Sequence, residues 1–189
     1  MNNTDINKFI LREEYFDFQS VFHGIHHTYR VMCNCFVLGD KLGLENETKL
    51  AFCSAFIHDM ARTHDGVCDK HGLWAAETKL PVFEELFFSI GVKPQELETI
   101  KAAVTNHCET NNLPESSVHY KTSAILKDAD ALDRVRFGGE IKYLRFKESL
   151  FLIGFAEDLY RQSNKIKAID ITDIMEIVGK IARPLLTGI

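Results

Sequence analysis

The chain has 189 residues, of which 46% are hydrophobic and 26% are charged, with a formal net charge of −5 at pH 7. This length predicts one sizeable domain, since no low-complexity, Ser/Gly-rich or Pro-rich linker divides the chain. The negative charge argues against extended nucleic acid held on a broad basic face, and no apolar run approaches the roughly 20 residues that cross a membrane.

The segment at 1–8 has neither the basic nor the apolar region of a secretory signal, so we expect a cytoplasmic protein. Five cysteines are an odd number at irregular spacing. This pattern indicates buried, reduced thiols and disfavours a disulfide framework or a thiolate zinc site. The Phe-rich surfaces are compatible with a homodimer.

Apolar residues at helical spacing predict helices along most of the chain, and no stretch shows the sustained period-two alternation of strands. We therefore predict an all-α fold, a single compact multi-helix domain. Gly43 is a helix terminator, and Pro81 divides one helical stretch because proline removes a hydrogen bond. The predicted helices run from Ile6 to Phe18, from His23 to Leu42, from Glu47 to about Thr63, from His71 to Gly91 in two parts, from Pro94 to His107, from Thr122 to Arg136, from Phe146 to about Asn164 and from Ile171 to about Leu186.

The adjacent pair His58 and Asp59 closes an apolar run, Leu50 to Ile57, that has the character of a buried helix. A buried charge needs a partner. A divalent metal suits this pair because it accepts nitrogen and oxygen ligands together and neutralises the carboxylate. Further ligand types occur in the order His27, His71, His107 and Asp130.

Each candidate also has a purely structural explanation. His58 and Asp59, taken alone, could simply end a helix. His71 could cap a turn, His107 at the end of an apolar stripe could be a hydrogen-bonded core residue, and His23 could cap the helix that carries His27. The further ligand-type residues before and after His58 and Asp59 favour metal binding for this pair. The spacing to Arg30 and Val31 favours His27 over His26.

The candidate ligands fall in three motifs, which are His23-Gly24-x-x-His27-x-x-Arg30-Val31, Phe56-Ile57-His58-Asp59 and Asp128-Ala129-Asp130-Ala131-Leu132-Asp133. These motifs, in this order, resemble the HD superfamily of metal-dependent phosphohydrolases, which are all-helical domains named for the His-Asp doublet. The resemblance predicts an HD domain over residues 1–189, with a motif-bearing core at about 20–137 and C-terminal packing helices at about 146–187. The segment from Arg62 to Gly72 is similar to small bacterial HD-domain proteins.

The resemblance implies that His27, His58, Asp59 and Asp130 bind a metal, with Asp130 preferred to Asp128. Two further histidines, His71 and His107, match those of the branch that binds two ions, in which the doublet Asp bridges them. One or two ions are therefore expected. Mixed nitrogen and oxygen ligands with open positions favour Mn²⁺, Fe²⁺, Co²⁺ or Ni²⁺ over Zn²⁺ or Mg²⁺.

Positive side chains near the motifs are candidates to hold phosphate oxygens, with arginine preferred for its bidentate fork. The chain departs from the alarmone hydrolases and the nucleoside 5'-monophosphate hydrolases, because Arg62 and Thr63 occupy the region where those branches carry acids. His58 and Asp59 are predicted to be catalytic, and either Asp65 or His71 to donate the proton. The candidate phosphate-binding residues are Arg30, Arg62, Lys127, Arg134 and Arg136.

We therefore expect a hydrolase that uses metal-activated water on a small phosphorylated compound, with nucleotides among the candidates. One alternative is a di-iron oxygenase, since myo-inositol oxygenase and related phosphonate-cleaving proteins resemble the same six-ligand order. A second alternative is a non-catalytic, metal-containing module that senses a ligand. The expected partner is a small molecule, with no membrane and no extended nucleic acid.

Overall fold

The computed structural model describes residues 6–138 and 140–182. Within these ranges the chain forms nine α-helices, three short 3₁₀ segments and no strand, which confirms the predicted all-α fold. The helices are α1 (Ile25–Leu42), α2 (Glu45–Ile57), α3 (His71–Thr78), α4 (Leu80–Phe88), α5 (Leu97–His107), α6 (Tyr120–Asp133), α7 (Lys147–Leu150), α8 (Ile153–Ser163) and α9 (Ile171–Ile181), and the 3₁₀ segments are Glu13–Tyr15, Pro94–Glu96 and Arg134–Phe137.

Glycine and proline define two helix boundaries that agree with the sequence prediction. Helix α1 stops at Gly43, which adopts a left-handed conformation with φ 67° and donates its backbone N–H to Asp40. Helices α3 and α4 are separate, and Pro81 lies in the first turn of α4, where its missing N–H costs little.

The predicted opening helix is wrong. From Asn7 to Phe18 the chain has only the 3₁₀ turn at Glu13–Tyr15. Long-range contacts replace helical hydrogen bonds here, because the Tyr29 hydroxyl accepts from the Leu11 backbone N–H and donates to the Phe9 carbonyl. This segment covers the core as an irregular strap.

The predicted closing helices are also altered. The stretch from Phe146 to Asn164 is broken into α7 and α8 around the buried Leu152. Helix α9 ends at Ile181, and the predicted end near Leu186 lies outside the described residues.

Helix α1 lies at the centre of the bundle and packs against α2, α6, α8 and α9, while α5 packs against α2, α3 and α6. A cluster of aromatic rings joins the opening segment to this bundle. Phe9 contacts Phe52 and Phe56 of α2 at centroid distances of 5.0 and 5.2 Å. No described helix has both the length and the apolar character needed to cross a membrane.

Gly72 allows α3 to approach α5 closely, and it gives a direct test of this packing. A Cβ atom at Gly72 would lie 2.3 Å from the Val104 carbonyl oxygen. We expect Gly72→Ala to lower the free energy of unfolding by about 1–3 kcal/mol, the usual cost of overpacking. Chemical denaturation measures this change. The control is Gly154→Ala in α8, where no atom lies within 4 Å, and which should be neutral or stabilising by up to about 1 kcal/mol.

Candidate metal centre

Five chain segments bring the six candidate ligands to one place, and most of these residues stand at helix ends. His27 lies in the first turn of α1, and Asp130 lies in the last turn of α6. His58 is the residue after α2, with Asp59 next to it. Helix α3 begins at His71 and α5 ends at His107. Asp130 is partly exposed and the other five are buried.

A first group of ligands, His27, His58, Asp59 and Asp130, surrounds the His27 Nε2 atom. This nitrogen lies 3.3 Å from Asp59 Oδ2, 3.3 Å from Asp130 Oδ1 and 3.2 Å from His58 Nε2. Neighbouring ligands that each lie about 2.1 Å from an octahedral metal are separated by about 3 Å. The spacing of the first group therefore suits a shared metal ion.

A second group consists of His71 and His107 with the other oxygen of Asp59. Asp59 Oδ1 lies 3.0 Å from His71 Nε2 and 3.7 Å from His107 Nε2. The two Nε2 atoms are 2.9 Å apart. The two oxygens of one carboxylate thus face different groups, which is the arrangement that a bridging ligand requires.

All four histidines are anchored through Nδ1, so their Nε2 atoms face the centre. An N–H donated from Nδ1 fixes the tautomer and leaves a lone pair on Nε2. The lone pairs of His71 and His107, only 2.9 Å apart, repel each other unless a cation lies between them, so the donor chemistry of these residues fits a divalent metal. The acceptors at Nδ1 are Asp133 Oδ2 for His27 at 2.7 Å, the Ala55 carbonyl for His58 at 2.7 Å, the Cys68 carbonyl for His71 at 2.6 Å and the Val104 carbonyl for His107 at 2.6 Å.

The carboxylates give this centre a strong preference for positive charge. Burial lowers the pKa of His27, but hydrogen bonds to the surrounding carboxylates, of which Asp130 contributes most, raise it to about 10. Burial lowers the pKa of His58 to about 3, in spite of the neighbouring Asp59. In the metal-free chain His27 therefore carries the proton that a metal ion must displace.

Metal affinity should consequently rise with pH. A ligand must be deprotonated to bind, and His27 is protonated below about pH 10 in the metal-free protein. We expect the affinity for Mn²⁺ to increase by up to about tenfold per pH unit between about pH 6 and pH 9. Competition with a chromophoric chelator at several pH values measures this slope. An affinity that stays constant over this range would contradict the assigned charge state.

A buried charge network around Asp133 holds His27 in place. The Arg30 guanidinium donates to both Asp133 oxygens, at 2.5 and 3.0 Å, and Arg136 donates to Asp133 at 2.8 Å. Burial raises the pKa of Asp133, but the hydrogen bond from His27 and the charge of Arg30 outweigh this and lower it. Asp133 therefore stays ionised and orients the His27 ring.

Two of the predicted phosphate-binding residues have structural partners instead. Arg30 is only 3% exposed and is paired with Asp133, so it is not available to a phosphate group. Lys127 is buried and donates to the backbone carbonyls of Asn106, Glu109 and Asn111. These carbonyls lie at and beyond the end of α5, where a positive group stabilises a helix, so Lys127 helps to hold the turn that follows His107.

A cleft of about 400 Å³ opens above the ligands and is lined by three arginines, Arg62, Arg134 and Arg136. Arg62 is buried and contacts Asp59 and His71. Arg134 is exposed, and its side chain makes no hydrogen bond or ion pair with the part of the chain that the structure describes. It is therefore available for an anion. The lining includes His23, Asp65, Cys68 and Cys108 as well as the ligands Asp59, His71, His107 and Asp130.

Asp65 lies at the mouth of this cleft and is already engaged. It accepts hydrogen bonds from the Ser20 hydroxyl and from His23, whose Nδ1 lies 3.1 Å away. His23 stands beside His27, with ring centroids 5.6 Å apart. The spacing of these two histidines was visible in the sequence. Nothing in the sequence pointed to Ser20, because its partner is 45 residues away.

A family model described as HD domain matches residues 24–135 of the chain. The chain therefore belongs to the HD domain family, a superfamily of metal-dependent phosphohydrolases. Membership of this family generally indicates a metal-dependent hydrolase, and the clustered His and Asp residues could hold a metal ion. No curated protein and no solved structure matches the chain.

Proposed function

We propose that this protein is a phosphohydrolase that acts on a small phosphorylated compound and uses one or two divalent transition-metal ions. One observation carries the proposal: six ligand-type side chains meet at the base of a cleft whose walls carry three arginines. The ligands supply a place for the metal. The arginines supply a place for the phosphate.

The residues have separate tasks in this proposal. A divalent ion, when bound, lowers the pKa of water and polarises a phosphoryl oxygen. Asp59 and Asp130 contribute the negative charge that retains such an ion. Arg134 is exposed in the cleft and is the proposed contact to the phosphoryl oxygens, since its guanidinium can donate two parallel hydrogen bonds.

The proton for the leaving oxygen is assigned to the pair of His23 and Asp65. His71, the other candidate from the sequence, turns its Nε2 toward Asp59 and its Nδ1 toward a carbonyl, so both ring nitrogens are engaged. Asp65 instead orients His23 at the mouth of the cleft. His23, Asp65 and Arg134 all line the cleft, so this pair lies near the phosphoryl group that Arg134 would hold.

Two exposed aromatic rings at the mouth favour a nucleotide over a phosphorylated sugar. Phe22 and Phe137 are 47% and 53% exposed, and their ring centroids are 5.7 Å apart although they are distant in sequence. Phe137 and the fully exposed Val67 line the cleft. A planar base can stack on such rings, whereas a sugar offers them less apolar surface.

Phosphate release from a panel of nucleotides, sugar phosphates and phosphonates tests the proposal. The protein is loaded in turn with Mn²⁺, Fe²⁺, Co²⁺ or Ni²⁺. We expect release from nucleotides, and Arg134→Gln should raise KM by at least about tenfold, because a hydrogen bond to a charged group is lost. Arg161→Gln is the matched control, since Arg161 is exposed on α8 and pairs there with Asp158. Tight nucleotide binding without any product would instead identify a sensing module.

The di-iron oxygenase remains a second candidate because of one observation. His71 and His107 complete a set of six candidate ligands in which each Asp59 oxygen faces a different ligand group. The order of these six ligands along the chain resembles that of the di-iron oxygenases. The cleft arginines favour the hydrolase. Oxygen consumption by the Fe²⁺-loaded protein in the presence of a polyol or a phosphonate, with no phosphate released from nucleotides, would reverse this order.

A further inference from the structure

The two ligand groups are unequal in charge. The first group contains two carboxylates, Asp59 and Asp130, which together balance one divalent ion. The second group contains two histidines and the shared carboxylate of Asp59. Cys108 Sγ lies within 4.8 Å of ligand atoms of both histidines, but as a neutral thiol it donates to the Asp69 carbonyl at 3.2 Å. A second divalent ion would therefore lie in a buried place that has no remaining negative charge to balance it.

Arg62 adds a further positive charge to this second group. Its Nη1 atom lies 3.4 Å from Asp59 Oδ1, and 3.2 and 3.4 Å from Nε2 and Nδ1 of the His71 ring. Its Nη2 atom donates to the Gly66 carbonyl at 2.8 Å, which holds the guanidinium in place. Arg62 is only 7% exposed, so water screens its charge poorly.

The buried Nε atom of Arg62 has no hydrogen-bond partner among the described residues. A guanidinium that served only to tie the loop to α2 would be expected to satisfy its donors in the protein. This one instead leaves Nε unpaired and holds Nη1 against Asp59 Oδ1 and the imidazole ring of His71.

We propose that Arg62 sets the metal content of this centre by weakening the second group. The inference rests on the proposed metal centre. The guanidinium competes for Asp59 Oδ1, lies against the His71 ring and repels a divalent ion at close range. The protein therefore retains one ion in the first group. A second ion binds weakly, and more tightly when an anion such as phosphate lies in the cleft and balances the added charge.

The test compares the metal content of two variants with the wild type. Arg62→Gln removes the charge, and Arg62→Lys keeps it while changing the hydrogen bonds. Each protein is saturated with Mn²⁺, desalted and analysed for metal per chain, and the second affinity is measured by calorimetry with and without inorganic phosphate. Arg161→Gln is the control, because it removes an exposed arginine on α8, outside the lining of the cleft.

We expect the wild type, Arg62→Lys and Arg161→Gln to retain about one ion per chain and Arg62→Gln to retain about two. The affinity of Arg62→Gln for the second ion should be at least about tenfold higher than that of the wild type. Inorganic phosphate should raise the affinity of the wild type for the second ion.

Three outcomes would overturn the proposal: two tightly held ions in the wild type, an unchanged or weaker second affinity in Arg62→Gln, or the same gain in Arg62→Lys. Circular dichroism and the first affinity show whether each variant is folded. A wild type that releases phosphate while Arg62→Gln gains no ion would leave the proposed function standing without this inference. A wild type that retains no ion would instead remove the basis of the proposed function.

Discussion

Replacing Asp59 by asparagine is expected to abolish metal retention and to lower phosphate release by more than about 100-fold. Asp59 offers one carboxylate oxygen to each ligand group, with Oδ2 facing His27 and Oδ1 facing His71. Loss of a residue that merely orients a ligand already costs about 10- to 100-fold in affinity or activity, and loss of the shared carboxylate should cost more.

Elemental analysis and phosphate release measured on the same samples check this result. The matched control is Asp69→Asn, which makes the same chemical change at an exposed loop position ten residues further along the chain. The control should retain both metal and activity. Since the helices do not depend on the carboxylate, the circular dichroism spectrum of Asp59→Asn should match the wild type. Full activity in a metal-free Asp59→Asn protein would refute the metal-dependent reaction.

Replacing Asp128 by alanine is expected to lower the free energy of unfolding by about 3–5 kcal/mol, the usual effect of removing one partner of a buried ion pair. Asp128 is fully buried. Its oxygens accept the backbone N–H groups of Arg145 and Phe146 at 2.9 Å and the Ser149 hydroxyl at 2.7 Å. The Arg145 guanidinium lies 3.4 Å away. This one side chain thus ties the segment before α7 to α6.

Urea denaturation of the variant measures the loss. Asp158→Ala provides the control, because the pair of Asp158 and Arg161 is largely exposed and should contribute less than about 1 kcal/mol. Ser149→Ala removes a single hydrogen bond to Asp128 and should cost about 1.5–3 kcal/mol, since the acceptor is charged. Equal stability of the Asp128 and Asp158 variants would show that this network does not stabilise the closing segment.

Asp128 and Asp130 show how motif spacing can separate a candidate ligand from a structural residue. Both fall in the last motif, and the resemblance selected Asp130 as the ligand. The structure places Asp130 beside His27 and places Asp128 in the packing of α7. Two residues along a helix differ in direction by about 200°, so only one of the two can face the centre.

The sequence by itself determined the helical class, the C-terminal end of α1, the separation of α3 from α4 at Pro81 and the identity of the six residues that meet. These features depend on local rules: apolar spacing, glycine and proline chemistry, and motif order. The irregular opening segment could not be predicted in this way, because its apolar residues are equally compatible with a helix. Its contacts to Tyr29 and Phe52 decide the outcome, and those partners are distant in sequence.

The tertiary structure alone decided which charges serve the centre. Five arginines and lysines stood near the motifs, yet Arg30 pairs with Asp133 across 103 residues, and Lys127 binds carbonyls beyond α5. The tertiary structure also directs the two Asp59 oxygens toward different ligand groups and places Arg62 beside Asp59 Oδ1. A charged side chain has no preferred partner until folding fixes which groups are buried beside it, so sequence can name the charges but cannot assign their partners.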